Sequence, residues 1–130
     1  MIQRFIELGE GYGDFYELLE LATSNKNRIY RFIQIETTIN KQKRVSLAVV
    51  LHPAAQGGFM PIYFCREGIS IKSGQSSKRI TQFSELATQL QQDIRQLEVR
   101  PSVDFPDPEL YKQYLIGILR VNHCLPPLNW

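Results

Sequence analysis

The chain has 130 residues, 43% of them hydrophobic and 22% charged, which predicts one globular domain with enough core to fold without disulfide or metal staples. Fifteen Lys and Arg against thirteen Asp and Glu give a formal charge of +2, too mild for the dense basic face of a dedicated nucleic-acid binder, so such a partner is disfavoured though still open. The longest apolar run, Leu47 to Leu51, is far too short to cross a bilayer, and the two cysteines, Cys65 and Cys124, fit a reducing cytosol.

The start, Met1-Ile2-Gln3-Arg4-Phe5, lacks the pattern of a signal peptide, and the expected setting is the cytoplasm. Ile2 to Leu8 predicts a short strand, and with neither face cleanly apolar it suits an edge or a place covered by a later element. A glycine-rich turn follows, Gly9-Glu10-Gly11-Tyr12-Gly13. Asp14 is then a fair N-cap for a helix whose apolar stripe is Phe15, Leu18, Leu19 and Ala22. Thr23 to Asn27 breaks that helix. Arg28 to Ile39 alternates as a strand, Asn40 to Lys43 turns the chain, and Val45 to His52 returns as a continuous apolar run, as expected of a central strand buried on both faces. Pro61 to Arg66 predicts a third strand, with its proline at the first position. Ser70 to Ser77 predicts a surface loop. Thr81 to Gln96 predicts a helix with Phe83, Leu86, Ala87, Leu90 and Ile94 on one side, and Leu97 to Val99 a short strand. Asp107-Pro108-Glu109 is a strong helix start, and that helix runs to about Asn122. Leu125 to Trp130 predicts an extended apolar tail.

The fold class expected is α+β: a mixed sheet of about five strands with three helices, in the order βαβββαβα. It forms one domain over 1–130, with 123–130 as the tail. The first hairpin should be antiparallel by its short turn, and the last strand can pair in parallel through a helical crossover. Over residues 14–99 this succession resembles the core of restriction-endonuclease-like nucleases. The acidic residue and Glu-x-Lys pair that hold magnesium in those enzymes are missing, since the third strand ends Cys65-Arg66-Glu67. The resemblance therefore implies the fold without the activity. The opening Ile2 to Tyr12 and the closing Leu115 to His123 resemble a group of small bacterial cytosolic proteins of unknown function, which implies no site residues.

The turn at Gly9, Gly11, Tyr12 and Gly13 also resembles the nucleotide-binding loop of protein kinases. Only Tyr12 separates its last two glycines, however, and no strand lysine, His-Arg-Asp or Asp-Phe-Gly accompanies it. Two readings stay open for this turn. One is a tight strand-to-helix connection that needs left-handed backbone, and the other an anion nest at a helix start. Lys72, Lys78 and Arg79 make the best basic cluster, either as phosphate contacts or as the charges of a solvated loop. His52, Cys65, His123 and Cys124 have no chelating spacing, so neither a metal nor a cofactor is expected. Tyr111, Tyr114, Leu125, Leu128 and Trp130 make the C-terminal third richer in apolar surface than one sheet contact needs, which suits an oligomer or partner interface or packing within the domain. The leading expectation is a non-enzymatic protein acting by protein–protein contact, first of all as a homodimer. The alternative is a module for a nucleotide or phosphate ligand, tied to nucleic-acid metabolism.

Overall fold

Two periodicities build the molecule: alternation in the middle of the chain makes the sheet, and helical spacing on either side of it makes the covers. The computed structural model describes residues 2–9, 12–54, 58–71 and 77–125. Its elements are β1 (Ile2–Gly9), α1 (Tyr12–Ser24), β2 (Ile29–Ile39), β3 (Gln42–Leu51), β4 (Phe59–Cys65), β5 (Ile69–Ile71), α2 (Lys78–Gln89), β6 (Ile94–Glu98) and α3 (Pro108–Val121). Single turns of 3-10 helix lie at Lys26–Arg28 and Ser102–Asp104.

The sheet runs in the order β1-β4-β3-β2-β6, with β5 added beside β3. β1 pairs parallel with β4 and β6 parallel with β2, while β3 is antiparallel to β2, β4 and β5. Within the described sheet β3 therefore opposes every other strand. The β2–β3 turn is the two residues Asn40 and Lys41, both at positive φ (51° and 64°), the backbone of a type I′ hairpin. From Val45 to Leu51 every residue of β3 is buried, which fits its central place. An irregularity in pairing between Ile29 and Arg31 rotates Ile29 onto the same face as Phe32, out of simple alternation.

The sheet is covered on both sides. On one face Phe15, Leu18 and Ala22 of α1 and Phe83 and Ala87 of α2 pack on Phe32, Val45, Leu47, Val49 and Leu51. On the other, Tyr111, Leu115 and Leu119 of α3 pack on Ile33, Ile35, Ala48, Val50, Ile62 and Phe64. This is the α+β arrangement expected from the sequence, with the parallel crossover and the antiparallel hairpin in their expected places.

Several boundaries differ from expectation. Helix α1 starts at Tyr12, so Asp14 lies in its first turn instead of capping it. Ile69–Ile71 is a strand, not loop, because it continues along the edge of β3 where β4 leaves off: Ala48 to Val50 pair with β4 and Lys43 to Val45 with β5. Helix α2 begins at Lys78 and ends seven residues early. Gln91 takes positive φ (57°) and Gln92 N–H bonds back to the Ala87 carbonyl at 2.8 Å, a C-terminal lock usually built on glycine. Ile94 is thereby released from the helix to open β6. The same lock ends α3, with His123 at φ 61° and Cys124 N–H on the Leu119 carbonyl at 2.8 Å. It turns the chain back so that Cys124 and Leu125 are buried beneath α3.

Candidate functional site

The split between β4 and β5 creates the most distinctive local chemistry in the fold. The chain leaves β4 at Cys65 and turns tightly, Gly68 N–H reaching the Arg66 carbonyl at 2.5 Å. Glu67 sits at the centre of that three-residue turn. It is only 6% exposed, among the few buried polar residues. Its carboxylate is met by a segment far along the chain. Ser102 donates to Oε1 through its backbone N–H at 3.2 Å and through its hydroxyl, and the Tyr111 hydroxyl donates to Oε2 at 3.1 Å. The Glu67 backbone carbonyl accepts from Arg44 Nη1 at 3.3 Å. A buried carboxylate needs such donors, because leaving its charge unsolvated costs far more than one ordinary hydrogen bond contributes.

These bonds tie the strand break to the 3-10 turn at Ser102 and to the start of α3. That helix is fixed by Asp107, whose Oδ1 accepts from Glu109 N–H at 2.9 Å, with Pro108 at its first position. Phe105 fills the connection, its ring 5.4 Å from Tyr111 and 5.0 Å from Tyr114. Above the network lies a cleft of about 470 Å³, whose charged and polar lining is Glu7, Arg44, Arg66, Glu67, Ser102 and Lys112. Glu7 and Ile39 come from near the carboxyl ends of β1 and β2, and Arg66 and Glu67 follow β4. In open sheets with parallel strands this edge is the usual ligand side.

The cations of the cleft are not alike. Arg66 Nε pairs with Glu7 Oε1 at 2.7 Å, and Lys112 stands 3.9 Å from Glu109. Arg44 is half-buried and has no carboxylate within ion-pair distance among the described residues; its Nε is buried without an acceptor. The Thr37 hydroxyl, which faces Arg44 across the β2–β3 pairing, is likewise buried and unbonded.

Four proton sites among the described residues are shifted upward, those of Lys43, Cys65, Tyr111 and Cys124, and two of them move furthest. Burial pushes the Tyr111 hydroxyl well above the ordinary tyrosine value, helped by the Glu67 carboxylate beside it. Burial likewise pushes the Cys65 thiol up to about 12, with the Asp14 carboxylate adding to it. Both groups are neutral when protonated, and the fold holds those protons longer than the unfolded chain does. Their contribution is therefore complete below the unfolded values of 9.0 for the thiol and 10.0 for the phenol, and is lost as the pH climbs above them. Each group should steepen the alkaline loss of stability by at most about 1.4 kcal/mol per pH unit. Denaturant melts across the alkaline range check this: Cys65→Ala should flatten the slope from about pH 9 upward. Slopes that coincide for parent and variant would contradict it.

The residues singled out from sequence fall in several places. Gly9 closes β1 at φ 112°, and a side chain there would meet the Asp14 carboxylate at 2.5 Å. Gly13 lies inside α1 with open space around it, and Tyr12 is the first residue of that helix. Gly11, Lys72, Leu128 and Trp130 lie outside the described residues. Lys78 is exposed at the start of α2, while Arg79 is half-buried and donates to the Gly68 carbonyl at 3.4 Å. Tyr111 and Leu125 are buried in the domain's own core, and the Tyr114 hydroxyl accepts from Arg100 N–H at 3.0 Å. The large apolar residues that α3 turns outward are instead Leu110 and Val121. Sequence reasoning missed Glu67, Ser102 and Arg44. Glu67 reads locally as the polar end of a strand, and its partners stand 35 and 44 residues away. The one available signal was the Glu67 charge two residues past an apolar strand. Among the described residues no group of three or more His, Cys, Asp or Glu is placed to hold a metal, and no helix is long and apolar enough to cross a membrane.

The chain matches no curated protein and no solved structure. Residues 1–125 match a domain of unknown function, DUF7147, and the chain belongs to that family.

Proposed function

We propose that this DUF7147 chain is a binding domain that takes a small anionic molecule in the cleft above Glu67 and does no chemistry on it. Arg44 carries the reading. A half-buried guanidinium whose only hydrogen-bond acceptor among the described residues is the Glu67 carbonyl, with a buried Nε facing none, is an arrangement that a carboxylate or phosphate would complete, because the planar fork matches those groups two bonds at a time. The cleft volume of about 470 Å³ falls in the usual range for small-molecule sites. Three cations against two carboxylates suit an ion of low charge better than a polyphosphate. Glu67 has a donor of this chain on each of its oxygens, which supports a holding role for it rather than a proton-transfer one. The reading keeps the phosphate-type ligand considered from sequence and moves it from the glycine turn to the cleft.

Calorimetric titration of the full chain with inorganic phosphate, citrate and AMP tests this. At least one should bind, and Arg44→Ala should weaken that binding tenfold or more, since a charge-assisted hydrogen bond contributes about 1.5–3 kcal/mol. Lys78→Ala, at the start of α2, should leave the affinity unchanged. Binding by AMP alone would connect the site to nucleotides. A parent that binds none of the three, or an Arg44→Ala variant that binds as well as the parent, would sink the proposal.

A further inference from the structure

We infer that the anion taken up in the cleft is amphipathic, with one charged head held by Arg44 and a hydrocarbon or aromatic body lying against Ile39 and Val103. The inference rests on the binding role proposed above and names the class of ligand. It follows from the lining groups that this chain leaves unused. Arg66 is paired with Glu7, Lys112 stands 3.9 Å from Glu109, and each Glu67 oxygen has its own donor. Arg44 is the one cation of the cleft with no carboxylate within ion-pair distance among the described residues. One unmatched guanidinium calls for one anionic head, and a second would stand against the carboxylates of Glu7 and Glu67.

The apolar lining divides the same way. Phe105 reaches the cleft, but its ring is already packed on Tyr111 and Tyr114. Ile39 and Val103 line it too, and among the described residues neither belongs to the two core clusters that cover the sheet. Val103 is 70% exposed, although backbone bonds fix its segment. Asp104 N–H reaches the Pro101 carbonyl and Phe105 N–H the Ser102 carbonyl, each at 3.1 Å, and Ser102 is itself tied to Glu67. The fold thus holds an aliphatic side chain in water at the lip of a polar cleft. Ile39 lies beside the charge. It pairs with Gln42, and Thr37 with Arg44, so Ile39 and Arg44 are diagonal neighbours on one face of the sheet. A guanidinium next to unused hydrocarbon is matched by a molecule that is charged at one end and apolar along the rest. The head gains paired hydrogen bonds, and the body leaves water against the two side chains. Small-molecule sites commonly combine a few polar anchors with an apolar wall. Inorganic phosphate or citrate would satisfy Arg44 and leave that wall in water.

Calorimetric titration of the full chain with two matched pairs tests this: inorganic phosphate against phenyl phosphate, and acetate against hexanoate. In whichever pair binds, the member with the apolar body should bind about tenfold tighter or more, the gain from burying roughly two methylene groups. Val103→Asn, at an exposed position, should leave the affinity for the bare head unchanged and remove most of that gain. Val121→Asn, at the other end of α3 and 76% exposed, should alter neither and so controls for unspecific apolar contact. Arg44→Ala should weaken both members of the pair. Equal affinities within the pairs, or a gain that survives Val103→Asn, would overturn the inference; binding of phosphate, citrate or AMP that still depended on Arg44 would then leave the anion reading standing. A parent that binds no member of either pair, nor citrate or AMP, would sink both.

Discussion

Replacing Glu67 with alanine is expected to destabilise the protein by about 3 kcal/mol, since each buried donor left without its acceptor costs about 1–3 kcal/mol. The substitution orphans the Ser102 backbone N–H, the Ser102 hydroxyl and the Tyr111 hydroxyl together. It also removes the link that holds the 3-10 turn and the first turn of α3 against the β4–β5 break. Cleft water can recover part of the loss, which keeps the figure below the sum of three full penalties. Tyr111→Phe deletes one donor along with its bond and should cost only about 1 kcal/mol. Glu67→Gln keeps an acceptor for each oxygen position it retains and should fall between the two. The double variant Glu67→Ala with Tyr111→Phe is informative, because once Glu67 is gone the phenol has no partner to lose. Its total should be less than the two single costs added, by about 0.5–3 kcal/mol, as for other directly bonded pairs. Urea unfolding of the four proteins measures this. Strict additivity would mean that the Tyr111–Glu67 hydrogen bond contributes nothing, and the account of the network would fail with it.

Gly9→Val should be of similar size, again about 3 kcal/mol, and for a different reason: backbone strain alone at such a position is worth about 1–3 kcal/mol. A φ of 112° lies beyond the left-handed pocket that other residues tolerate. The new Cβ would also stand 2.5 Å from Asp14 Oδ2 and 2.7 Å from its Cγ, too close without displacing the side chain or the turn. Gly9 cannot easily shift, because its carbonyl accepts from Arg66 N–H and it is paired with Cys65 in the β1–β4 ladder. The two contributions separate in the Asp14→Gly background, where the clash is gone and the backbone strain remains. The penalty of Gly9→Val should there fall by a third or more. Thermal and urea unfolding of the four chains would show it, and an equal penalty in both backgrounds would rule out the contact with Asp14. Native domains are stable by only about 5–15 kcal/mol, so neither Glu67→Ala nor Gly9→Val should abolish folding, and both should lower the melting temperature visibly.

Local chemistry in the chain was enough for much of the fold. Asn40-Lys41 between two alternating runs forces a hairpin, and the charge-free run Val45 to Leu51 can only be a strand with both faces covered. Asp107-Pro108 sets the start of α3 through a side-chain acceptor and a fixed φ, both properties of single residues. Boundaries failed where backbone geometry did not follow residue type. Gln91 and His123 take the left-handed conformation that ends a helix, a role for which glycine is the usual signal, so α2 read seven residues too long. Ile69 to Ile71 is too short to be recognised by alternation. It is a strand only because the lower half of β3 offers it unpaired backbone groups.

The candidate site was less legible, and the reason is distance along the chain. Gly9 could be read as a constrained turn because the constraint is local. Tyr111 is one of several aromatic residues on an amphipathic helix, and from sequence it suits a partner surface as well as a core. Its hydroxyl meets Glu67 only because α3 covers the same sheet face to which the β4–β5 turn directs that carboxylate. By itself the sequence determined the class of fold, the order of its elements apart from β5 and the central place of β3, all of which follow from periodicity and turn chemistry over a few residues. Only the tertiary structure decided that Glu67, Ser102 and Tyr111 form one network, that Arg44 has no carboxylate partner among the described residues, and that Leu110 and Val121, not Tyr111 and Leu125, remain outside. Those outcomes depend on which faces of distant segments are pressed together, and no local pattern carries that information.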